Sequence, residues 1–269
     1  MANALADAIS SPSPMHLLAF DTSTDTLSIA AQRAETVWQH SAPGGAQAST
    51  TLIPAIRTLL ADAGLGFDML DAVVFGRGPG SFTGLRTACA VAQGLAFGAR
   101  GGRGVPVLPV DTLLALAEEA RAVHGSTQVV AVLDARMDEV YHAAFEWQAA
   151  PGADVGAGRW TVPDDFQLGA PESVQVPAGW TVAGNALAPY GPRLAPGARH
   201  VHALPTATAL LRLAPGLLAA GGALAADAAL PRYIRDKVAQ TTAEREAAKR
   251  AAADAAARRA DSTATPTPP

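Results

Sequence analysis

The carboxylate of Asp21 and the hydroxyls of Thr22, Ser23 and Thr24 crowd the short stretch DTSTDT, directly after the apolar run HLLAF. A phosphotransferase uses such a turn: the carboxylate holds a metal-bound water, while hydroxyls and amides face a terminal phosphate. The same residues also make a sound hairpin turn, since Asp, Ser and Thr side chains satisfy turn backbones locally. Downstream, GRGPGSFTGLR, Gly76 to Arg86, sets a flexible turn ahead of a helix. Free N–H groups and the helix dipole there favour an anion, with Arg77 and Arg86 as added charge. It is not a Walker A loop, because no Gly-Lys-Ser/Thr follows. The plainer reading is that Gly78 and Gly80 permit a sharp turn and that Ser81 or Thr83 caps the helix.

Other chemistry is poorly supplied. The histidines are His16, His40, His124, His142, His200 and His202. None forms the i, i+4 pair that a helix would set on one face for a metal. His200 and His202 share a strand face, without an acidic or Cys partner nearby in sequence. Nothing places a base beside Ser81 or Cys89, so no nucleophile is assigned. No catalytic residue, metal ligand or cofactor is expected.

The elements that position these residues follow from patterning. The chain has 269 residues, 49 % hydrophobic and 16 % charged, with aromatics at only 5 %, so its core is built of Ala, Leu and Val. No apolar run is long enough to cross a bilayer, the first residues lack a secretory pattern, and Cys89 is the single cysteine. A cytoplasmic protein is expected. The net charge of −4 gives no basic surplus, so contact with RNA requires a partner.

HLLAF and LSIAAQ read as strands around DTSTDT, with a third near Thr36 to His40. TTLIPAIRTLLADAG reads as a helix capped by Ser49 or Thr50 and ended by Gly64, with Pro54 predicting a kink or a later start. DAVVFG is a buried strand and FTGLRTACAVAQGLAFG a helix. VPVLPV leads to a second helix capped by Asp111. Residues 149–177, rich in Gly and Pro, read as a surface elaboration, and the helix TATALLRLAPGLLAAGG as interrupted at Pro215. Strands interleaved with helices predict an α/β protein. Met15 opens the first strand so directly that it reads as an alternative start.

The chain also repeats itself. Laid over one another, LAFDTSTDTLSIAA and AVLDARMDEVYHAA bring Asp21 onto Asp134 and Asp25 onto Asp138. Two such hairpins, each opening an α/β half, predict a duplicated lobe. The second turn offers Ala135, Arg136 and Met137 in place of small donors, which points to a lost phosphate cradle. In the helix after the glycine loop, Gly84, Ala88, Ala92 and Ala96 make one face of nearly bare backbone. That face suits close approach of a partner helix or internal packing equally.

LAFDTSTDTLSIA, GRGPGSFTGLR with AVAQGLAFG, LDARMDEVY and PRYIR together resemble the TsaB family, over about Met15 to Arg235. The resemblance implies a two-lobed actin-like ATPase (RNase H-like) fold from duplicated halves. It implies an N-terminal lobe with partner-binding helices at 15–110 and a second lobe at 111–238; outside it, composition alone predicts a disordered extension at 1–14 and a low-complexity Ala/Arg-rich tail at 239–269. It also implies a non-catalytic subunit that dimerises with and activates TsaD, the paralogous threonylcarbamoyl transferase, with TsaE joining and tRNA reached only through the complex. A homodimer of the chain alone stays open. The partner face would hold Leu52, Ile56, Leu59, Gly84, Ala88, Val91, Ala92 and Leu95. Asp21, Thr22, Ser23 and Thr24 would be a vestigial phosphate turn, and Arg77, Gly78, Gly80 and Ser81 the turn before the partner helix. Relatives usually carry His-Ser ahead of the L-x-P-x-I of the first helix, where this chain has Ala48-Ser49. The rival classes are an active ATPase or kinase of the same fold and a metallopeptidase.

Overall fold

Leu17, Leu18, Ala19 and Phe20 are apolar without alternation because both faces of their strand are covered. The structure, a computed structural model, describes residues 15–150 and 158–235. The expected extension at 1–14 and the tail at 239–269 lie outside the described residues. Of these described residues, those up to Ile234 form one compact unit.

The first sheet comprises β1 (His16–Asp21), β2 (Thr26–Arg33), β3 (Thr36–Pro43), β4 (Ala72–Gly78) and β5 (Val107–Asp111), in the order β3-β2-β1-β4-β5. Helices α1 (Ala48–Asp62) and α2 (Phe82–Gly102) cover one face, packing on Leu18, Phe20, Val73 and Phe75. The second sheet comprises β6 (Gln128–Arg136), β7 (Glu139–Ala149), β8 (Gly158–Thr161), β10 (Thr181–Gly184) and β11 (Arg199–His202), in the order β11-β10-β6-β7-β8. The short β9 (Gln167–Gly169) pairs with β7 beside them.

The two orders are the same path. In each, a hairpin and a third antiparallel strand are followed by two parallel strands added on the other side of the first. The duplication read from the two hairpins therefore extends to the whole sheet.

Between the sheets lie α3 (Thr112–His124) and α5 (Ala207–Ala219). α3 packs its leucines on Val129, Ala131 and Leu133 of the second sheet. α5 returns from the second half to pack Leu210, Leu211 and Ala214 on Leu17, Ala19 and Val74 of the first. Glu118 of α3, 1 % exposed, ties the layer together. It accepts hydrogen bonds from Arg121, from Arg212 of α5 and from the Trp160 indole of β8. A short helix, α4 (Leu187–Tyr190), closes the far side of the second sheet.

Local chemistry departs from expectation at several points. α1 begins at Ala48, and Ser49 and Thr50 lie inside its first turn instead of capping it. The Thr50 and Thr51 hydroxyls donate to the Gln47 carbonyl, a local bond these short side chains readily make. Gly64 does end α1: with φ at 64° it lets its own N–H reach the Ala61 carbonyl and the Leu65 N–H reach Leu60, a Schellman closure. Pro54 and Pro215 sit inside unbroken helices, both on the exposed side, where only one backbone bond is lost in each. Residues 149–177 are not only surface. They supply β8 and β9 and bury Trp160 and Phe166 against Phe145.

Candidate functional site

Asp21 ends β1 fully buried, at the carboxyl edge of the first sheet. Its Oδ1 accepts from the Ser23 N–H at 2.8 Å and from the Ser23 hydroxyl at 2.6 Å. Its Oδ2 has no hydrogen-bond partner and faces Gly76, where any Cβ would overlap it. Burial pushes this carboxyl up to about 6, against the two Ser23 hydrogen bonds that favour the charged form.

The glycine loop is fitted to this turn. A Cβ at Gly76 would meet the Asp21 carboxylate, one at Gly80 the Ser23 carbonyl at 2.6 Å, and one at Gly84 the Thr22 carbonyl. The Thr22 hydroxyl donates to the Gly84 carbonyl at 2.7 Å, and the Ser81 N–H to the Ser23 carbonyl at 2.7 Å. Ser81 caps α2, accepting from the Gly84 N–H. Gly80 and Gly84 thus admit the turn's backbone at close range and Gly76 the Asp21 carboxylate, and the Thr22 and Ser23 hydroxyls that could face a phosphate are engaged locally.

Neither arginine of the loop completes an anion site. Arg77 makes a two-pronged pair with Asp111, at 2.6 and 2.9 Å. This overturns the expected cap of α3: Asp111 occupies the N-cap position, but its carboxylate turns to Arg77 and Arg232. A charged guanidinium outcompetes a backbone N–H for a carboxylate. Arg86 stacks over Phe82 at 3.9 Å and donates to the Tyr233 hydroxyl.

The second hairpin turn occupies the equivalent position with different chemistry. Asp134 accepts from the Arg136 N–H and the Tyr190 hydroxyl, both at 2.8 Å. Burial, with Asp134 beside it, pushes the Tyr190 hydroxyl up to about 12. Arg136, Met137 and Asp138 all hold left-handed backbone, φ 60°, 58° and 61°. Arg193 fixes the turn from outside, pairing with Asp138 and Glu172. The two turns also meet: Arg136 reaches across to Asp25 of the first hairpin at 2.6 Å.

Comparison with known proteins identifies the family. A family model described as TsaD, tRNA N6-adenosine threonylcarbamoyltransferase, matches residues 36–256. The tRNA threonylcarbamoyladenosine biosynthesis protein TsaB of Escherichia coli (strain K12) is 33 % identical over 231 residues, 84 % of this chain and 96 % of that protein. The chain belongs to the TsaB family. The Haemophilus influenzae protein of the same name is 47 % identical over 128 residues, 46 % of this chain, and the match spans about half, 51 %, of its length. A solved structure, YeaZ from Pseudomonas aeruginosa, superposes with a TM-score of 0.71 at 37 % identity, covering 82 % of this chain and all of that one.

For this TsaB-family chain, the residues expected at a partner are placed mainly in its own core. Leu52, Ile56, Leu59, Gly84, Ala88 and Ala92 are buried where α1 and α2 meet the first sheet, while Val91 and Leu95 are half-buried. The bare face of α2 is bare so that the helix can lie close to the strands and to the Asp21 turn. The outward side of α2 carries Ala90, Gly94 and Gly98, with Phe97 74 % exposed, and α1 exposes Ile53. A Cβ at Gly94 or Gly98 would meet nothing.

Arg232, Arg193 and the Glu118 hub were not singled out from sequence. Arg232 lies in the PRYIR motif, but its partners are distant in the chain, and Trp160 sits in a stretch whose Gly and Pro content hides a core strand. Among the described residues no group of three His, Cys, Asp or Glu stands together as a metal site, and no helix is long and apolar enough to cross a membrane.

Proposed function

We propose that this chain is a non-catalytic subunit of the machinery that forms threonylcarbamoyladenosine on tRNA, and that it docks on a TsaD-type transferase. The E. coli and H. influenzae relatives carry threonylcarbamoyladenosine biosynthesis in their names. The observation that carries the non-catalytic part is the fit of the glycine loop to the Asp21 turn. The turn that would face a terminal phosphate is already filled by Gly76, Gly80 and Gly84, which lie against the Asp21 carboxylate and the Ser23 and Thr22 carbonyls. The net charge of −4 supports a role in which tRNA is held by the partner.

The docking face is the outward side of α1 and α2: Ile53, Ala90, Val91, Gly94, Leu95 and Phe97. Small residues there allow a partner helix to approach closely, and the apolar neighbours supply area to bury. The same face serves a homodimer when the partner is absent, and TsaE joins the pair once formed.

The test is light scattering after size exclusion on the chain mixed with TsaD from the same organism, with ATP hydrolysis followed on each fraction. A mixed dimer is expected, lost in Gly94→Arg, where the added Cβ meets nothing and the residue is exposed, with the melting temperature as the check that the fold is intact. Magnesium-dependent hydrolysis by the chain alone, abolished by Asp21→Asn, would sink the reading in favour of an ATPase.

A further inference from the structure

After α5 the chain runs from one half of the molecule to the other. Leu224 pairs with Val107 at the edge of β5, by two backbone hydrogen bonds of 2.8 and 2.9 Å. Ala229 is buried against α2, and its carbonyl accepts from Gln93 at 3.0 Å. The Arg232 N–H donates to the Arg77 carbonyl at 2.7 Å, and the Tyr233 ring lies 5.3 Å from Phe82. Ile234 then packs on the core of the second sheet.

Arg232 is where this path crosses over. Its guanidinium pairs with Asp111 of the first sheet at 3.3 Å. On its other side it donates to the Asp164 carbonyl at 3.4 Å and stacks 4.0 Å over Phe166, both in the β8–β9 connection of the second half. Phe166 is 3 % exposed and sits edge-on to Phe145 in the second core, so this is contact with a fixed surface. The planar guanidinium suits the task, since one group both stacks and bonds in two directions, which an ammonium does not.

The crossing has a definite place. Arg77, Gly78 and Asp111 stand at the carboxyl ends of β4 and β5, where open α/β sheets form their ligand crevice. The Arg232 carbonyl lies against Gly78, whose φ of 120° and missing Cβ leave room for it. The exposed Arg136–Asp25 pair is weak by comparison, because charges in water gain little from pairing.

We infer that residues 226–234 are a strap laid across the carboxyl ends of β4 and β5, and that Arg232 is the latch that joins the first half to the β8–β9 connection of the second. The strap is independent of which partner docks on α2.

Hydrogen exchange by mass spectrometry on the full chain, native and Arg232→Ala, tests this. Exchange about tenfold faster is expected both in peptides covering 226–234 and in peptides covering the β8–β9 connection, 162–169, with the transition on heating still single. Faster exchange confined to 226–234, or no change, overturns the latch. If Arg232→Ala does not fold, Arg232→Lys keeps the charge and most of the stem while losing the fork. It must then show a smaller rise at both places, and native exchange at 162–169 in that variant overturns the proposal.

Discussion

The two hairpin turns hold equivalent places in two sheets of one topology, yet they are stabilised by different physics. The first is buried from Asp21 to Thr24 and fixed by steric fit, with Gly80 and Gly84 pressed onto its backbone and Gly76 onto the Asp21 carboxylate. The second, at Asp134 to Glu139, has its tip in water and is held in left-handed backbone by arginine–carboxylate pairs. A duplicated framework thus fixes where a turn lies and leaves its chemistry free to diverge.

Substitutions at the two turns separate these mechanisms. The largest effect is expected at Gly84→Val, whose Cβ overlaps the Thr22 carbonyl: a backbone atom has nowhere to yield, and the loss is at least about 3 kcal/mol. Urea unfolding reads this directly, and a native midpoint would mean that the loop is not fitted to the turn.

Asp21 comes next. Its carboxyl is raised from 3.8 to about 6 in the folded chain, so folding favours the protonated form. The stability this group contributes is fully present below pH 4 and is lost as pH rises through 6. The span is up to about 3 kcal/mol. In Asp21→Asn that slope between pH 4 and 6 is expected to vanish, and an unchanged slope would show that the titrating group is elsewhere.

At the second turn the effects shrink. Met137→Gly should stabilise by up to about 1 kcal/mol, because glycine takes a φ of 58° without a Cβ penalty, a gain partly offset by the freer unfolded chain. A destabilised variant in thermal melts would show that the Met137 side chain has a packing role. Smallest is Asp25→Ala, which removes the exposed pair with Arg136 and leaves the Arg136–Asp134 pair in place: it should cost well under about 1 kcal/mol, and the difference should shrink further in salt. A larger loss would mean that the two turns are coupled.

Much of this was legible in the sequence. The hairpin repeat, the strands, the αL ending at Gly64 and the Ser81 cap all rest on residues a few positions apart, and local spacing determines them. The caps at Ser49 and Thr50 failed because the helix starts earlier, at Ala48, but the Asp111 cap failed for a reason that local spacing cannot carry. A competing partner, Arg77, waits 34 residues away from Asp111 in the chain. Likewise Gly and Pro content marked residues 149–177 as surface, although Trp160 and Phe166 complete a core assembled from α3 and β7.

What the sequence by itself determined is the framework: an α/β chain built of two hairpin-led halves, with a glycine loop that must sit tightly against something. Only the tertiary structure decided what that something is, and which face of α2 remains outside. Gly84, Ala88 and Ala92 on one side and Ala90, Gly94 and Gly98 on the other are both small-residue stripes at helical spacing. A stripe shows only that close approach is possible. Which stripe meets the sheet depends on the rotation of the helix about its axis, and that is set by the Thr22–Gly84 contact and by Gln93 bonding to Ala229, whose partners lie far away in the chain.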